Sequence, residues 1–323
     1  MSQPPLPSSM CAMEIREGGL VASSVPLPVV KDGEVLVRVA YVGVNRADLL
    51  QVEGKYHAPV GASPLPGLEV SGWLAGSGQQ VCALLSGGGY AEYVAVPAAQ
   101  VLALPAGVSL KEAASLPEAL ATSVMALVNE AQLQVGERVL IHGGASGVGV
   151  MMTQVAKYLG AEVFATVGSE EKMAMLQARG ITPIDHRASP FAAQVMAANK
   201  DGVDIIIDTL GGPMVETHLR LLRPRGRLVT LAMLEGSEVP TFKMTRLLMN
   251  HLRWSGATLR SRSAAEKAAI ITFVAEKLWP GLADVSIMPV IDSVFALLEA
   301  KKAHERMQER LHMGKILLEV TAN

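Results

Sequence analysis

Cysteine is nearly absent from this chain: among its 323 residues only Cys11 and Cys82 carry a thiol. Two cysteines cannot build a disulfide framework, and a single bridge is not needed in a chain that can form a large core. We therefore expect a reducing environment, and the default prediction is a cytoplasmic protein.

An excess of charge of either sign is also lacking. The chain has 28 basic and 30 acidic residues, a net charge of −2 and a sequence pI of about 6.4. A nucleic-acid-binding surface needs a clustered basic excess, so we do not expect a nucleic acid as a partner.

Long apolar runs are missing as well. No stretch reaches the 18 apolar residues that a membrane-spanning helix needs, so no membrane partner is expected. The sequence does not open with a positively charged region followed by an apolar segment and a cleavage site, which disfavours a secretion signal. The first nine residues, MSQPPLPSS, are rich in proline and serine and are predicted to be disordered.

Hydrophobic residues, by contrast, make up 50% of the chain, and charged residues only 18%. This composition supplies a large core, and the length exceeds the size at which one core usually stops growing, so two domains are predicted. Residues 10–99 alternate short apolar runs with glycine and proline, and they contain strand patterns at 34–44 and 89–96. A β-rich domain is predicted for this part.

Residues 138–149, RVLIHGGASGVG, join an apolar strand pattern to a helical pattern through a glycine-rich loop. In this context glycines let the backbone approach a pyrophosphate at a helix N-terminus. Gly144, Ser146 and Gly149 occupy the three glycine positions of the dinucleotide fingerprint, so the middle glycine is a serine here. Gly147 and Val148 open the helix. A dinucleotide site is favoured over the alternative, a tight turn without a ligand.

From residue 139 onward, strand and helix patterns alternate. Strands are predicted at 139–142, 162–166, 183–185, 203–208, 226–232 and 256–260, and helices at 147–159, 170–179, 190–199 and 213–222. The strand segments are dense with β-branched and aliphatic residues, as strands buried on both faces are. Right-handed crossovers give the order 3-2-1-4-5-6 of a doubly wound parallel sheet, with the cofactor where the order reverses. The predicted fold class is α/β.

The end of the second strand decides between NADH and NADPH. An NAD site usually places an acid there to bind the ribose 2′-hydroxyl, and the segment that ends in Gly168 and Ser169 has none. Ser169 and Lys172 suit a 2′-phosphate, although Ser169 also suits the cap of the next helix. Glu170 and Glu171 would repel a phosphate. We predict NADPH as the cofactor.

A series of motifs follows in an order that resembles the medium-chain dehydrogenase/reductase superfamily: NRADL, GKY, PGLEVSG, GGGYAEY, SLPEA and GASGVG. Within it the chain is most similar to the zinc-independent quinone oxidoreductases of the tumour-suppressor-inducible type, over residues 33–319. The resemblance implies a discontinuous GroES-like catalytic domain, residues 1–122 and 262–323, and a Rossmann dinucleotide-binding domain, residues 123–261.

The resemblance also assigns residues to the cofactor. The Thr122 hydroxyl is expected at the nicotinamide carboxamide, and Arg260 at the nicotinamide–pyrophosphate half of an interdomain cleft, unless Arg260 is an exposed charge at a strand end. His186 and Arg187 stand where similar enzymes carry a Tyr-Lys pair over the adenosine phosphate, and Arg187 adds a fixed positive charge. The remaining cofactor-binding candidates are Ala232 and Lys315.

Zinc-dependent members of the superfamily place a Cys after the first long strand and a Gly-His-Glu in the next loop. This chain has Asn45 and Gly67-Leu68-Glu69 there, and neither Asn nor Leu supplies a thiolate or an imidazole. Two cysteines cannot form the four-cysteine structural lobe of those relatives, and the seven histidines form no ligand-spaced group with a cysteine. No metal is expected, and Glu69 is expected to hold its loop through hydrogen bonds.

The resemblance implies that a hydride passes from the nicotinamide C4 to a quinone or another conjugated carbonyl acceptor. Tyr56 and Asn45 are the candidates for contact with the acceptor carbonyl; the alternative for each is a solvated or turn-capping polar group. Two other functions stay open: an NADPH-dependent reductase of enals, enones or enoyl thioesters, and an NADPH-binding redox sensor without useful turnover.

The sixth strand would leave an exposed edge of the sheet, and proteins tend to cover or pair such edges, so a homodimer is predicted.

Overall fold

The structure is a computed structural model that describes residues 6–105, 107–188 and 190–320. The chain divides into two compact units, one formed by Met1–Ala121 with Arg260–Asn323 and the other by Thr122–Leu259. No helix within the described residues is both long and apolar enough to cross a membrane. Of the segment predicted to be disordered, residues 1–5 lie outside the described residues, whereas Ser9 is in a strand, so the prediction is wrong at that residue.

The N-terminal part of the first unit is mainly β-structure, as predicted. Its strands are β1 Ser9–Arg16, β2 Gly19–Pro26, β3 Glu34–Gly43, β4 Glu69–Leu74, β5 Gln80–Leu84, β6 Tyr93–Pro97 and β7 Val101–Ala103. Three short helices accompany them: α1 Arg46–Val52, α2 Leu110–Ala113 and α3 Pro117–Ser123, the last of which continues as a π-helix over Val124–Glu130.

The strand predicted at 89–96 begins four residues later than expected, at Tyr93. Gly87 and Gly88 have positive φ angles, and the turn that they form brings Gly89 and Tyr90 against Gly67 instead of into a strand. A β-carbon on Gly67 would lie 2.7 Å from the Gly89 Cα, so this contact requires a glycine.

The second unit is a six-stranded parallel sheet with helices between its strands. The strands are β8 Arg138–Ile141, β9 Glu162–Val167, β10 Thr182–Asp185, β11 Val203–Asp208, β12 Leu222–Thr230 and β13 Arg253–Gly256. The helices are α4 Gly147–Tyr158, α5 Glu170–Gln177, α6 Phe191–Ala198, α7 Val215–Leu221 and α8 Met244–Met249. The strand order β10-β9-β8-β11-β12-β13 is the doubly wound order predicted from the sequence, and the α/β fold class is confirmed.

The central strand β8 is apolar because both of its faces are buried. Val139, Leu140 and Ile141 are at most 1% exposed, as expected of a parallel strand that is covered on both faces.

The sixth strand, predicted at 256–260, lies at Arg253–Gly256 instead. Its neighbour β12 ends at Thr230, which pairs with Gly256, so residues beyond Gly256 have no partner in the ladder.

The chain then returns to the first unit. Its remaining elements are α9 Ala264–Phe273, a π-helix over Val274–Leu278, α10 Trp279–Ala283, β14 Ile291–Ala296, α11 Ala300–Gln308 and β15 Lys315–Glu319. Residues 294–309 have a helical pattern in the sequence, yet residues 294–296 belong to β14, which pairs with β15, and α11 begins only at Ala300. The π-helix joins α9 to α10, so residues 264–283 form one continuous helical run.

One sheet organises the first unit, in the order β14-β15-β3-β4-β5-β7, with β6 also paired to β3. The strands β1 and β2 form a separate antiparallel pair. Because β15 is antiparallel to β3, with Leu317 opposite Gly43, the start of β15 lies beside the residues that follow β3. This register brings Lys315 to Asn45.

Candidate active site

The glycine-rich loop of the second unit is shaped by close contacts that only glycine permits. A β-carbon on Gly144 would lie 2.5 Å from the Ala165 Cβ of β9, and one on Gly149 would overlap the Gly143 carbonyl oxygen. Gly143 has φ +69°, in the left-handed region. The loop therefore packs directly on the neighbouring strand and on the first turn of α4, as the dinucleotide fingerprint requires.

Ser146, at the middle position of the fingerprint, is the N-cap of α4. Its hydroxyl accepts a hydrogen bond from the Gly149 N–H at 3.1 Å. Gly147 and Val148 are the first two residues of this twelve-residue helix and are partly exposed. The first N–H groups of a helix have no acceptor within it, and they lie at its positive end. This terminus suits a pyrophosphate.

Thr166 ties the loop to the second strand. Its hydroxyl accepts from the Gly143 N–H at 3.1 Å, and its carbonyl oxygen accepts from the Gly144 N–H at 3.0 Å. The His142 Nδ1 lies 3.1 Å from the same hydroxyl. The loop is thus held in place by the strand end beside which an adenosine ribose would lie.

The end of β9 carries the residues predicted for a 2′-phosphate. Ser169 caps α5, because its hydroxyl accepts from the Lys172 N–H at 3.3 Å. Gly168 lies against two exposed side chains that follow β10, those of His186 and Arg187. A β-carbon on Gly168 would be 2.7 Å from the His186 Nε2 and 3.0 Å from the Arg187 Nε. No acidic side chain occupies the tip of the strand, and Glu170 lies one residue into the helix, exposed.

Two further cofactor candidates lie in this unit. Ala232 is partly exposed and follows the end of β12 by two residues, so it is at the carboxyl edge of the sheet. Thr122 is partly buried and is the first residue of the unit. The glycine loop, the open helix terminus and the basic side chains at the ends of β9 and β10 together fit a dinucleotide with a phosphorylated ribose.

Arg260, by contrast, is part of the first unit, and only 3% of it is exposed. Its guanidinium donates to the Ser86 carbonyl oxygen at 3.0 Å, to the Gln51 Oε1 at 2.8 Å and to the Tyr56 carbonyl oxygen at 3.4 Å. The alternative interpretation of Arg260 as an exposed charge is wrong. Its contacts fix the loop that carries Tyr56.

Asn45 and Lys315 lie in a buried polar network around Glu69. The Asn45 amide donates to the Gly43 carbonyl oxygen at 3.2 Å and to the Glu69 Oε1 at 3.0 Å, and its Oδ1 accepts from the Lys315 Nζ at 2.7 Å. Lys315 also forms an ion pair with Glu69. The Glu69 Oε2 accepts from the Glu118 N–H at 2.9 Å. Both amide hydrogens of Asn45 are therefore engaged, which leaves it no donor for an acceptor carbonyl.

A second buried acid supports the same loop. Asp48 is fully buried and accepts from the Asn45 N–H at 2.8 Å, the Gly67 N–H at 3.1 Å and the Tyr90 hydroxyl at 3.3 Å. Burial raises the pKa of Asp48 to about 6, against the lowering effect of these backbone hydrogen bonds. The Tyr90 oxygen lies 2.9 Å from the His304 Nε2. The network holds the residues after β3 and before β4 in one rigid arrangement.

Comparison with known proteins connects this geometry to a family. Residues 31–106 match a family model described as an alcohol dehydrogenase GroES-like domain, and residues 147–276 match one described as a zinc-binding dehydrogenase. The quinone oxidoreductase of Thermus thermophilus, solved by itself and as its complex with NADPH, is 32% identical, with a TM-score of 0.83 over 96% of this chain and 99% of that one. The chain belongs to the medium-chain dehydrogenase/reductase superfamily. The superfamily and quinone oxidoreductase type predicted from the motifs are thereby confirmed.

Other members of the superfamily differ widely in length. The pig quinone oxidoreductase is 29% identical over 310 residues, 92% of each chain. The synaptic vesicle membrane protein VAT-1 homolog of Danio rerio is 29% identical over 314 residues, 90% of this chain. The chain spans 65% of that protein's length and 11% of a highly reducing polyketide synthase of Emericella nidulans, which is 31% identical over 291 residues, 86% of this chain. Among solved structures, CurK enoyl reductase is 26% identical with a TM-score of 0.83 over 98% of this chain and all of that one.

The zinc positions of the superfamily carry unsuitable side chains here. Leu68 is 1% exposed in the core, and Asn45 is engaged in the network around Glu69. Within the described part of the chain, no group of three His, Cys, Asp or Glu side chains is arranged to hold a metal ion. Glu69 has the loop-holding role expected of it.

Two charged residues of the first unit were missed by sequence reasoning. The Glu118 side chain is half-buried. The loss of hydration, followed by the negative charge of Glu69, raises the pKa of Glu118 to about 8. Lys267 is 2% exposed; its ammonium donates to the Ser86 hydroxyl and, at 2.8 Å, to the Arg260 carbonyl oxygen, and burial lowers its pKa. The available signal was a single acid in the apolar run AASLPEALA and a single lysine on the largely apolar helix α9.

Proposed function

We propose that this protein is an NADPH-dependent reductase that transfers a hydride to a quinone or a related conjugated carbonyl. The observation that carries the cofactor assignment is the end of β9, where Gly168 lies against His186 and Arg187 and no carboxylate occupies the tip. Two basic side chains at this point favour a 2′-phosphate over a free hydroxyl. The similarity to a quinone oxidoreductase that binds NADPH supports both parts of the proposal.

The chain's own residues bind and orient the cofactor. When bound, NADPH supplies the hydride, and the protein supplies position and electrostatic field. Gly147 and Val148 at the start of α4 would donate to the pyrophosphate, while Lys172 and Arg187 would balance the charge of the 2′-phosphate. Thr122 is assigned to the nicotinamide carboxamide and Ala232 to the backbone wall at the carboxyl edge of the sheet.

Tyr56 is the residue we assign to the acceptor carbonyl. Its hydroxyl forms no hydrogen bond with any residue that the structure describes, and burial raises its pKa above the ordinary value of 10. A neutral hydroxyl in a partly dry site can donate to the oxyanion that develops as the carbonyl is reduced. Arg260 and Asn45 act on this site indirectly, by fixing the loops around Tyr56 and Glu69.

We propose that zinc has no part in this reaction. Asn45 and Leu68 stand where zinc-dependent relatives carry ligands, and neither side chain binds zinc as a thiolate or an imidazole does. A quinone needs no Lewis acid, because its reduction gives an aromatic hydroquinone anion.

The second candidate function is the reduction of enones, enals or enoyl thioesters. It requires the same hydride and, in addition, a proton at the α-carbon. The raised pKa of Glu118 favours this candidate, because it provides a protonated carboxyl group near neutral pH. The similarity to CurK enoyl reductase is consistent with it.

Steady-state oxidation of NADPH with and without 1,2-naphthoquinone tests the proposal. We expect oxidation that depends on the quinone and saturates with its concentration. A protein that binds NADPH tightly but oxidises it with neither a quinone nor an enone would be a redox sensor, and the proposal would be rejected.

A further inference from the structure

The first unit contains a cavity of about 370 Å³, and all of the residues that line it belong to that unit. Its walls come from the loop before β4, the turn after β5, the strand β6 and the start of α9. A volume of this size suits a small molecule. Tyr56 does not line the cavity, which is therefore distinct from the place assigned to the acceptor carbonyl.

Two buried cations line this cavity, Arg260 and Lys267, which are 3% and 2% exposed. The acceptors of Arg260 are two backbone carbonyl oxygens and the Gln51 amide oxygen. Those of Lys267 are the Ser86 hydroxyl and the Arg260 carbonyl oxygen. All of these acceptors are neutral, whereas a buried charge is usually paired with a charge of opposite sign.

The acids that act on the two cations do so from a distance. Burial lowers the pKa of both cations, and the negative charges of Asp48, on Arg260, and of Glu118, on both, oppose this effect only in part. Among the described residues no acid forms an ion pair with either cation. Neither Asp48 nor Glu118 lines the cavity. The cavity therefore faces two positive charges that the protein itself leaves unbalanced.

The turn after β5 adds a hydrogen-bond donor at the same point. Both cations donate to Ser86, and the next residue, Gly87, is buried and also lines the cavity. The Gly87 N–H has no acceptor among the residues that the structure describes. A β-carbon on Gly87 would lie 2.5 Å from the Ser63 carbonyl oxygen, so the turn excludes a side chain here. A buried N–H without an acceptor costs free energy, which a bound oxyanion would recover.

Gln100 offers a further unused polar group. It is 3% exposed and lines the cavity, and its Oε1 accepts no hydrogen bond from a described residue. The short 3₁₀ turn that carries it, Ala98–Gln100, packs on α9, the helix of Lys267. An amide can present its NH₂ group in place of its oxygen after a half-turn about its last bond. Gln100 can therefore also donate to an oxyanion.

The cavity opens to solvent between apolar side chains. Val29 and Val60 line it and are strongly exposed, whereas Leu85 and Val96 line it from the core. The exposed valines mark the mouth of the cavity, and the buried cations mark its inner end. A ligand that fits this arrangement has a charged group at one end and an apolar body.

The remaining charged residues in the lining nearly cancel. Lys31 and Glu34 carry opposite charges, and the Glu34 carboxylate accepts from the Lys31 N–H at 3.0 Å. Arg262 forms an ion pair with Glu266. The excess positive charge of the cavity thus comes from the two buried cations.

The free donors at the inner end match a carboxylate. The Lys267 ammonium has three N–H groups and uses two of them, and the Gly87 N–H is free. Two donors suit the two oxygens of a carboxylate. A phosphate has three free oxygens and nearly twice the charge, so it would need more donors.

We propose that this cavity binds a small monocarboxylate with an apolar body. Lys267 and the Gly87 N–H hold the carboxylate, with Arg260 and Gln100 beside them, and the apolar body extends past Leu85 toward the mouth. This inference concerns binding alone and does not depend on the reduction of a quinone.

The probe that we choose is 3-phenylpropanoate, which has no conjugated carbonyl and cannot accept a hydride. Calorimetric titration of the full chain should detect its binding, and the neutral 3-phenylpropanamide should bind about tenfold more weakly or worse. Lys267→Met should weaken binding of the acid about tenfold or more and leave that of the amide unchanged. Lys277→Met, at an exposed lysine of the same unit, is the matched control and should bind the acid as the wild type does.

Thermal unfolding provides a second readout. The acid should raise the Tm of the wild type, because it binds the folded protein, and should not raise that of Lys267→Met. Without the acid, Lys267→Met should be at least as stable as the wild type, since it removes a buried unpaired charge.

A variant at the mouth tests the site without touching the buried residues. Val60→Asp places a negative charge at a fully exposed position, and repulsion should weaken binding of the acid about 3-fold or more. Val135→Asp, at an exposed valine of the other unit, should have no effect. If Lys267→Met does not fold, Val60→Asp decides: unchanged binding of the acid in this variant would overturn the proposal.

Three further results would contradict it. Equal affinity for the acid and the amide, or wild-type affinity for the acid in a folded Lys267→Met, would overturn the site. Inorganic phosphate that displaces the probe at the same concentration would overturn the assignment to monocarboxylates. None of these measurements involves NADPH, so a protein without reductase activity would leave this inference standing.

Discussion

The guanidinium carbon of Arg260 lies 5.4 Å from the centroid of the Tyr56 ring, and an Arg260 N–H donates to the Tyr56 carbonyl oxygen at 3.4 Å. The hydrogen bond involves the backbone of Tyr56 and the cation–π contact involves the face of its ring. Neither contact involves the Tyr56 hydroxyl, which can therefore bind a ligand. Arg260 is itself fixed by Gln51 and Ser86. Tyr56 is thus held in one orientation before any acceptor binds.

Removal of the Tyr56 hydroxyl should weaken the reaction without abolishing it. We expect Tyr56→Phe to lower kcat/KM for a quinone by about 3- to 30-fold, roughly 0.7–2 kcal/mol, the size of one hydrogen bond. An indispensable general acid would cost more, on the order of 10²-fold, and a residue that only packs would cost almost nothing. Tyr158→Phe, in the other unit, is the control. Loss of all quinone turnover with NADPH still bound would refute this role.

The preference for NADPH should depend on Lys172. Lys172→Glu is expected to weaken NADPH binding by about 1.5–3 kcal/mol, a factor of ten or more, because it replaces an attraction to the 2′-phosphate by a repulsion. Fluorescence titration with NADPH and NADH measures the change. Lys200→Glu introduces the same charge change at an exposed site of the same unit and should have little effect. Equal affinity of the wild type for the two nucleotides would show that the assignment is mistaken.

The sequence reveals those features of the site whose residues are close together in the chain. Gly144, Ser146 and Gly149 form one continuous strand–loop–helix, so their pattern was visible in the sequence. The burial of Arg260 was not, because its partners Gln51 and Ser86 are more than 170 residues away in the chain. Residues 294–296 continue a helical pattern in the sequence, yet they pair with β15 as a strand, which only the tertiary structure decides.

The pKa of Glu118 was hidden for the same reason. It is set by burial and by acids and lysines from four other segments, and no spacing of residues along the chain encodes it. Asn45 illustrates the converse error: a polar residue in a functional motif was assigned to the acceptor, whereas both of its amide hydrogens serve the network around Glu69.

The purified protein should contain no stoichiometric zinc. Asn45 and Leu68 replace the ligands of zinc-dependent relatives, and neither can be compensated by a neighbouring thiolate, since Cys82 is fully buried and its pKa is raised by burial. Elemental analysis, together with quinone reduction before and after treatment with a chelator, checks this. One zinc per chain, or activity lost to the chelator and restored by zinc, would contradict it.

We expect a homodimer formed through the edge of the parallel sheet. The edge strand β13 contains Trp254, which is 41% exposed, and helix α8, which precedes it in the chain, carries Leu248, which is 72% exposed. An open strand edge with apolar side chains is usually covered by a partner. Light scattering should give twice the chain mass, and Leu248→Arg should reduce it, whereas Leu298→Arg, at an exposed leucine of the other unit, should not. A wild-type monomer at micromolar concentration would reject the prediction.

Two buried histidines should make the protein sensitive to acid. The rings of His142 and His218 lie 4.8 Å apart, and burial lowers the pKa of His218 to about 4 and that of His142 well below its usual value. The unfolded chain then binds more protons than the folded one below about pH 6.5, so stability falls as the pH falls. His218 alone should cost about 2 kcal/mol between pH 7 and pH 5.

Urea unfolding of the wild type and His218→Gln at the two pH values measures this effect. The variant is expected to be less stable at neutral pH, because a well-packed ring is lost, and to lose less stability on acidification. Identical pH dependence in the two proteins would contradict the assignment to His218.

Hydride transfer from NADPH to a bound quinone is the central claim, and a single-turnover experiment with NADPH deuterated at the transferred C4 position tests it most directly. The protein, saturated with labelled or unlabelled NADPH, is mixed with 1,2-naphthoquinone, and the loss of nicotinamide absorbance is followed. We predict one NADPH consumed per hydroquinone formed, at a rate that is slower with the deuterated cofactor. A quinone that leaves the NADPH unoxidised, or a rate that deuterium does not change while a semiquinone accumulates, would contradict it.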